Sequence, residues 1–133
     1  MPIAGRRTPM TKTLTYWIAT TLVVLIMLLS GVLDVLRSPA VMTIVIHLGY
    51  PPFVCVILGV GKLLAVLALL DPRTRFLREW AYAGITFDMI GAFISHLEAH
   101  DPLANILTPL IVLALTTASY LLRPEKLKLR SAA

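Results

Sequence analysis

Four long apolar segments constrain the fold of this chain more than any other feature. They cover residues 14–36, 53–70, 80–97 and 103–122. A helix needs about 20 mostly apolar residues to cross the hydrocarbon core of a bilayer. Within lipid, only helices and closed barrels satisfy every backbone polar group. The pattern therefore predicts an all-α membrane protein with four transmembrane helices in an antiparallel bundle.

Composition agrees with a single membrane unit. The chain has 133 residues and is 58% apolar, which is too hydrophobic for an ordinary soluble domain and too short for two domains. The apolar core of a signal peptide has roughly 7–15 residues. The first apolar segment is longer, so we expect it to be retained as a span. The single cysteine, Cys55, excludes an internal disulfide and a CxxC redox pair.

The positions of the cations predict the orientation. Ten of the twelve Lys and Arg side chains lie in residues 1–13, in the loop 71–79 and in residues 123–133. By the positive-inside rule these segments are cytoplasmic. We expect two basic cytoplasmic tails, 1–13 and 123–133, around one transmembrane unit, 14–122. The net charge of +5 is then explained by topology and anionic lipid. No basic surface with interleaved aromatics is present to bind nucleic acid.

Prolines predict where the helices begin and end. Pro39 should end the first helix, because the residue before a proline is pushed out of the helical region. Residues 39–51 are apolar but too short to span, and they predict an interfacial or re-entrant segment on the outer side, between the first two spans. Pro102 should begin the fourth helix.

Two ionisable side chains, Lys62 and Asp88, lie inside apolar segments. Counted from the loop between their segments, each is eight residues deep, which is about 12 Å at a helical rise of about 1.5 Å per residue. We therefore expect a Lys62–Asp88 ion pair. A carboxylate at bilayer depth costs at least about 2.5 kcal/mol, so the pair is either structural or part of a ligand or proton site, and both readings stay open.

Small residues surround this pair. Gly84, Ala92 and Ser95 recur on the helical face of Asp88. Such a stripe is typical of helices that pack closely in membranes, and we favour that interpretation. The alternative is a groove for a flat lipophilic molecule that bears a carbonyl or hydroxyl.

Two further groups of residues lie toward the ends of the spans. Near the outer face we expect a polar cluster of Asp34, His47, His96, Glu98 and His100. Its H-x-E-x-H pattern differs from the zinc motif H-E-x-x-H, so no metal site is predicted. His96 lies two turns outward from Asp88 and would extend a polar track from Asp88 toward the outer face.

At the cytoplasmic end, Trp80 and Tyr82 fit an interfacial aromatic belt, and Glu79 fits a helix N-terminus.

Several short motifs follow one another in a characteristic order. They are Ser30-Gly31-Val32-x-Asp34, His47-Leu48-Gly49-Tyr50-Pro51, Leu58-Gly59-Val60-x-Lys62-Leu63-Leu64, Glu79-Trp80-Ala81-Tyr82-Ala83-Gly84, Gly91-Ala92 and Ser95-His96. From about residue 16 to residue 102, this order resembles the DoxX-like family of small bacterial four-helix membrane proteins. Two positions depart from the resemblance, because Ala65 and His100 stand where glycine is expected.

The resemblance implies a location in the bacterial inner membrane. Relatives named for DoxX and DoxD are associated with quinone-linked sulfur oxidation or with membrane oxidoreductase complexes, and a distant animal relative acts as a receptor-assembly chaperone. By position, the family-type polar residues are Asp34, His47, Lys62, Glu79, Asp88 and His96.

We therefore expect an inner-membrane protein that binds a small lipophilic molecule, with a quinone as candidate cofactor, as part of or accessory to a redox system. The expected ligand-binding residues are Lys62, Asp88, His96, His47, Asp34, Trp80 and Tyr82, with no metal ligand. The alternative is a non-enzymatic membrane subunit or assembly factor, with a membrane-protein partner or a second copy of the chain, in which the pair is structural. Sequence does not decide whether the protein is an enzyme.

Overall fold

The computed structural model describes residues 9–129 and contains five α-helices and no strand in that range. The predicted all-α class is thus confirmed. The helices are α1 (Pro9–Val35), α2 (Pro39–His47), α3 (Val54–Leu70), α4 (Arg75–Glu98) and α5 (Leu103–Leu121), followed by a 3-10 turn at Glu125–Leu127. The outer parts of the two predicted basic tails, residues 1–8 and 130–133, lie outside the described residues.

The four long helices close a ring. Helix α1 packs against α3 and α5, and α4 packs against the same two helices, while α2 contacts the start of α3. Consecutive long helices run in opposite directions. One end of the ring therefore carries α2 and the α4–α5 connection, and we call it the α2 end. The other end carries the loop 71–74 and both chain ends, and we call it the loop end.

The core of the ring is mostly apolar, and so is much of its outer surface. Tyr16, Met27 and Leu69 are almost fully buried between the helices. Many outward-facing side chains are equally apolar, among them Leu25, Leu29, Leu64, Ile111 and Leu121. Helices that are apolar on all sides are typical of buried or membrane-spanning segments.

By length and composition, two helices qualify as candidate spans within the described residues. These are Met10–Val35 and Leu103–Leu121, while Val54–Leu70 is apolar but has 17 residues. Helix α4 is longer, with 24 residues, and begins five positions before the predicted span 80–97.

Three helices end in the same backbone motif, with a residue in the left-handed region. Arg37, Gly49 and His100 have φ values of 51°, 85° and 55°. At the end of α4, the N–H of His100 donates to the carbonyl of Leu97, and the N–H of Asp101 donates to that of His96, both at 3.1 Å. This is the Schellman arrangement, which favours glycine because glycine has no Cβ. The glycine expected at position 100 thus has a physical reason.

Pro39 begins a helix rather than only ending one. Helix α1 ends at Val35, and Pro39 is the first residue of α2. The hydroxyl of Ser38 accepts a hydrogen bond from the N–H of Val41 at 3.4 Å. Proline suits the first helical position because its missing N–H would have no partner there. The segment 39–51 is therefore a short helix followed by a turn at Gly49.

The closest helix contact joins α1 to α3. A Cβ on Gly59 would lie 2.8 Å from both the Cβ of Asp34 and the carbonyl oxygen of Gly31, so this position has no room for a side chain. In contrast, a Cβ on Gly84 or Gly91 would meet nothing within 4 Å. The close packing expected around Gly84 is therefore wrong, because α4 stands away from α3 at that level.

Candidate ligand groove

A triad of charged side chains lies inside the ring. Lys62 Nζ donates to Asp34 Oδ2 at 2.8 Å and lies 3.8 Å from Asp88 Oδ2. The side chains of Lys62, Asp34 and Asp88 are 15%, 8% and 18% exposed. Lys62 and Asp88 do approach each other, but the shorter contact of Lys62 is with Asp34.

The structure corrects the place of Asp34. We expected this residue in the outer cluster with the histidines, yet its carboxylate lies beside the middle of α3. The end of α1 is not level with the start of α3, and the Gly31–Gly59 contact holds the two helices together at this height. The depths predicted from the sequence were counted from the short loop that joins α3 to α4. They therefore relate Lys62 to Asp88 and give no depth for Asp34 on α1.

Asp88 is incompletely bonded. Its Oδ2 atom is buried and has no hydrogen-bond partner among the described residues, because 3.8 Å to Lys62 exceeds hydrogen-bond distance. Leaving a buried acceptor unsatisfied costs about 1–3 kcal/mol, and more when the group is charged. A donor supplied from outside the chain would therefore stabilise this oxygen.

A groove of about 550 Å³ runs between α3 and α4. Lys62 and Asp88 lie in the half of the groove toward the α2 end, and Asp71 and Thr74 lie at the loop end. The other lining residues are apolar; Ile57 and Leu58 lie beyond Lys62 toward the α2 end, and the rest are Gly61, Leu64, Ala65, Leu67, Ala68, Leu77, Trp80, Ala81, Gly84 and Ile85. The volume falls within the range of roughly 300–1,000 Å³ that is usual for small-molecule sites.

The two aromatic residues predicted for the site, Trp80 and Tyr82, lie on different faces of α4. Trp80 is exposed and lines the groove. Tyr82 lies on another face of α4, almost fully buried, with its hydroxyl 2.7 Å from that of Ser119. Ser119 in turn contacts Thr20 at 2.6 Å. Tyr82 therefore joins α4 to α5 inside the ring and does not belong to an interfacial belt.

At the α2 end, Asp101 bridges two predicted site residues. Its carboxylate oxygens lie 2.6 Å from His47 Nε2 and 2.6 Å from His96 Nδ1. An ionised carboxylate only accepts hydrogen bonds, so these two nitrogens carry the protons. The hydrogen bonds from His96 and His47 hold the pKa of Asp101 below its usual range. Glu98 and His100 are exposed and lie outside this bridge.

The bridge holds α2 against the junction of α4 and α5. A second contact has the same effect, because the Tyr50 and Ser95 hydroxyls lie 2.6 Å apart. Sequence reasoning named His47 and His96 but missed Asp101. The signal for it was weak, since an Asp-Pro pair after a helix reads as an ordinary turn.

Two arginines at the loop end are buried. Arg78 is 1% exposed and donates to the Tyr16 hydroxyl at 3.1 Å and to the Asp71 carbonyl at 2.8 Å. Arg123 is also buried; it pairs with Glu79, and its guanidinium lies 4.0 Å from the centre of the Tyr120 ring. Such a cation–π contact stabilises a guanidinium that is partly removed from water.

The burial of Arg78 was readable from the sequence. It precedes Ala81, Ile85 and Met89 by three, seven and eleven positions, and these residues form the buried face of α4. That spacing is the period of one helical face. The loop charge that we assigned to Arg78 is therefore an interior hydrogen-bond donor.

An all-helical fold with apolar outward faces and a charged triad inside is that of a helical membrane protein. The model of the DoxX-like family matches residues 18–119, and the chain belongs to this family. The match confirms the resemblance and includes the triad, the groove and the bridge. No curated protein and no solved structure matches the chain.

Proposed function

We propose that this protein binds one small lipophilic molecule in the groove between α3 and α4, with the polar head of the molecule at Asp88 and Lys62. The observation that carries the proposal is the buried, unbonded Oδ2 of Asp88 beside Lys62 in an otherwise apolar part of the groove. A ligand there would satisfy this oxygen while its body covers the apolar walls. The proposal concerns binding and assigns no reaction.

In this proposal the four long helices cross the bacterial inner membrane, with α2 on the outer face. The loop 71–74 and both chain ends are cytoplasmic. The support is the concentration of cations at the loop end, including Arg73, Arg75 and Lys126, together with the apolar outward faces. Helix α3, with 17 residues, is at the lower limit of about 17–25 residues for a span.

The members of the triad have different roles. Asp34 and Lys62 form the shorter bond, next to the tight Gly31–Gly59 contact, so this pair joins α1 to α3. The structural role of an ion pair, which we foresaw for an accessory subunit, thus fits Asp34 and Lys62. Asp88 lines the groove and is left to meet the ligand.

The other expected site residues act at a distance from the head group or along the tail. Trp80 covers the apolar body of the ligand near the loop end. His47 and His96 hold the α2 end of the site through Asp101 and act as positioning residues. A quinone, which the resemblance suggests, fits the apolar walls, and its carbonyl would accept from a remaining N–H of Lys62, but it offers no donor to Oδ2 of Asp88.

The test fills the groove without disturbing the packing. Gly84→Leu places a side chain in the groove, where a Cβ meets nothing within 4 Å. Gly91→Leu is the matched control, because Gly91 lies on the same helix with equal free space and does not line the groove. We expect native mass spectrometry of protein released from lipid nanodiscs to detect a bound lipophile in the parent and in Gly91→Leu. Occupancy should be at least about tenfold lower in Gly84→Leu, since overpacking a site costs about 1–3 kcal/mol.

Equal occupancy in Gly84→Leu and Gly91→Leu would show that the molecule binds elsewhere. A parent protein that carries no lipophile at all would also contradict the proposal.

A further inference from the structure

We infer that the groove selects lipophiles with a cationic head group, such as a long-chain amine, which pairs with Asp88 and completes an alternating row of charges with Lys62 and Asp34. This inference rests on the proposed function, because it names the chemical class of ligand for the same groove.

The charge balance of the triad carries the argument. Two carboxylates share one ammonium, so the triad has a net charge of −1 when all three groups are ionised. The sharing is uneven, with 2.8 Å to Asp34 and 3.8 Å to Asp88. Removing an unpaired charge from water is expensive. When all three groups are ionised, the triad therefore lacks one positive charge on the side of Asp88, and either a proton or a bound cation supplies it.

The geometry shows from which side a cation can reach the triad. Asp88 lines the groove, whereas Asp34 is enclosed between α1 and α3 against Gly59. Within residues 9–129, Lys62 is the one cation that forms an ion pair with Asp88. A cation that enters through the groove thus meets Asp88 first and leaves the Asp34–Lys62 bond intact.

Head-group chemistry then separates the candidate ligands. An ammonium donates a charge-assisted hydrogen bond to Oδ2 and neutralises the triad. A hydroxyl donates a hydrogen bond but leaves the net charge in place. A quinone carbonyl only accepts, and a fatty-acid carboxylate adds a second negative charge.

The rest of the groove fits a hydrocarbon tail, with one further carboxylate, Asp71, at the loop end. Leu64, Leu67 and Leu77 form its walls. At the loop end, Asp71 Oδ1 already accepts a hydrogen bond from the backbone N–H of Arg73 at 2.8 Å. The head group of a cationic lipophile is therefore expected at Asp88, with its tail directed toward Trp80.

The experiment compares probes that differ only in the head group. The protein has two tryptophans, so Trp17→Phe leaves Trp80 in the groove as the reporter. This protein, in nanodiscs of neutral lipid, is titrated with dodecylamine, dodecanol and dodecanoic acid while Trp80 fluorescence is followed. We expect the Kd for the amine to be at least about tenfold lower than that for the alcohol, and the acid to bind most weakly.

Two single substitutions test the charge balance. Asp88→Asn leaves the neutral pair Asp34–Lys62, and Asp34→Asn leaves Lys62 to pair with Asp88. Each should bring the Kd values for amine and alcohol to within about twofold of each other. Because Asp34→Asn keeps Asp88 in place, it distinguishes charge balance from contact, and either variant serves if the other fails to fold.

The outcomes separate this inference from the proposed function. If amine and alcohol bind equally in the parent, or if the preference for the amine survives in either folded Asn variant, the charge selection is wrong. It is equally wrong if decylubiquinone binds as tightly as the amine. Groove binding then still stands, provided that Gly84→Leu abolishes the response. If no probe gives a response that Gly84→Leu abolishes, both the inference and the proposed function are wrong.

Discussion

At the scale of single residues, the structure explains the missing glycine at position 100 and the place of Asp34. His100 has φ 55° at the end of α4, where an L-residue is strained by about 1–2 kcal/mol. Sequence alone could mark this position only through the missing glycine of the family pattern. Lys62 and Asp88 were predictable neighbours because a short loop joins their helices. Asp34 was not, because no short connection relates α1 to α3.

We predict that His100→Gly stabilises the protein by about 0.5–1 kcal/mol, since relief of strain exceeds the greater entropy of glycine in the unfolded chain. Ala99→Gly is the control, because Ala99 has φ −75° and gains nothing from glycine; we expect it to be neutral or destabilising. Equilibrium unfolding of both variants in mixed micelles measures the difference. A loss of stability in His100→Gly would refute this account of the helix end.

At the scale of secondary-structure elements, α2 depends on polar contacts. The residues that fasten its end to α4 and the α4–α5 connection are His47, Tyr50, Ser95, His96 and Asp101. The apolar segments and prolines predicted where the long helices lie. They did not predict that residues 39–47 are helical, because so short an apolar run fits several conformations. They also could not give the ring order, which depends on contacts between helices that are distant in sequence.

We predict that Asp101→Asn loosens α2 in a pH-dependent way. The groups that contact the Asp101 carboxylate in the described chain are His47 and His96. The pKa of Asp101 is lower in the folded protein than its unfolded value of about 3.9. Its stabilising effect is therefore fully present above about pH 4 and is lost as the pH falls through the folded pKa.

Hydrogen exchange of the α2 amides checks this prediction. Above about pH 4 we expect exchange in Asp101→Asn to be several-fold faster than in the parent, and we expect the difference to close at lower pH. Glu125→Gln is the control. Hydrogen bonding to Lys128 likewise lowers the pKa of Glu125, but this residue lies at the loop end, so exchange in α2 should not change. A difference that is independent of pH would contradict the role of the Asp101 charge.

At the scale of the whole molecule, the fold separates apolar outer faces, charged ends and a charged triad in the interior. The apolar faces point outward, the ends of the ring carry most of the charge, and the triad lies between α1, α3 and α4. Composition predicted the outward faces and the all-helical class. It could not predict the groove, which lies between α3 and α4 where Gly61 and Gly84 have no side chains to fill the space.

We predict that cysteines placed at the two ends of the ring react with an impermeant reagent from opposite sides of the membrane. In a Cys55→Ser background, Glu98→Cys marks the α2 end and Pro72→Cys marks the loop end; both native residues are exposed, and all cations are kept. A membrane-impermeant maleimide should modify Glu98→Cys in intact spheroplasts and Pro72→Cys in inverted vesicles. Permeabilised cells, where both should react, give the control. Labelling of both positions from one side would overturn the proposed topology.

The burial of Arg78 and Arg123 has a consequence for the biogenesis of the protein. Positive charges set the orientation of the chain during membrane insertion, while the helices are still separate and before the contacts with Tyr16 and Glu79 can form. On the proposed topology, both arginines first help to retain the loop end in the cytoplasm and later become interior donors as the helices assemble. The charge asymmetry that orients the nascent chain is therefore larger than the asymmetry displayed on the surface of the finished protein.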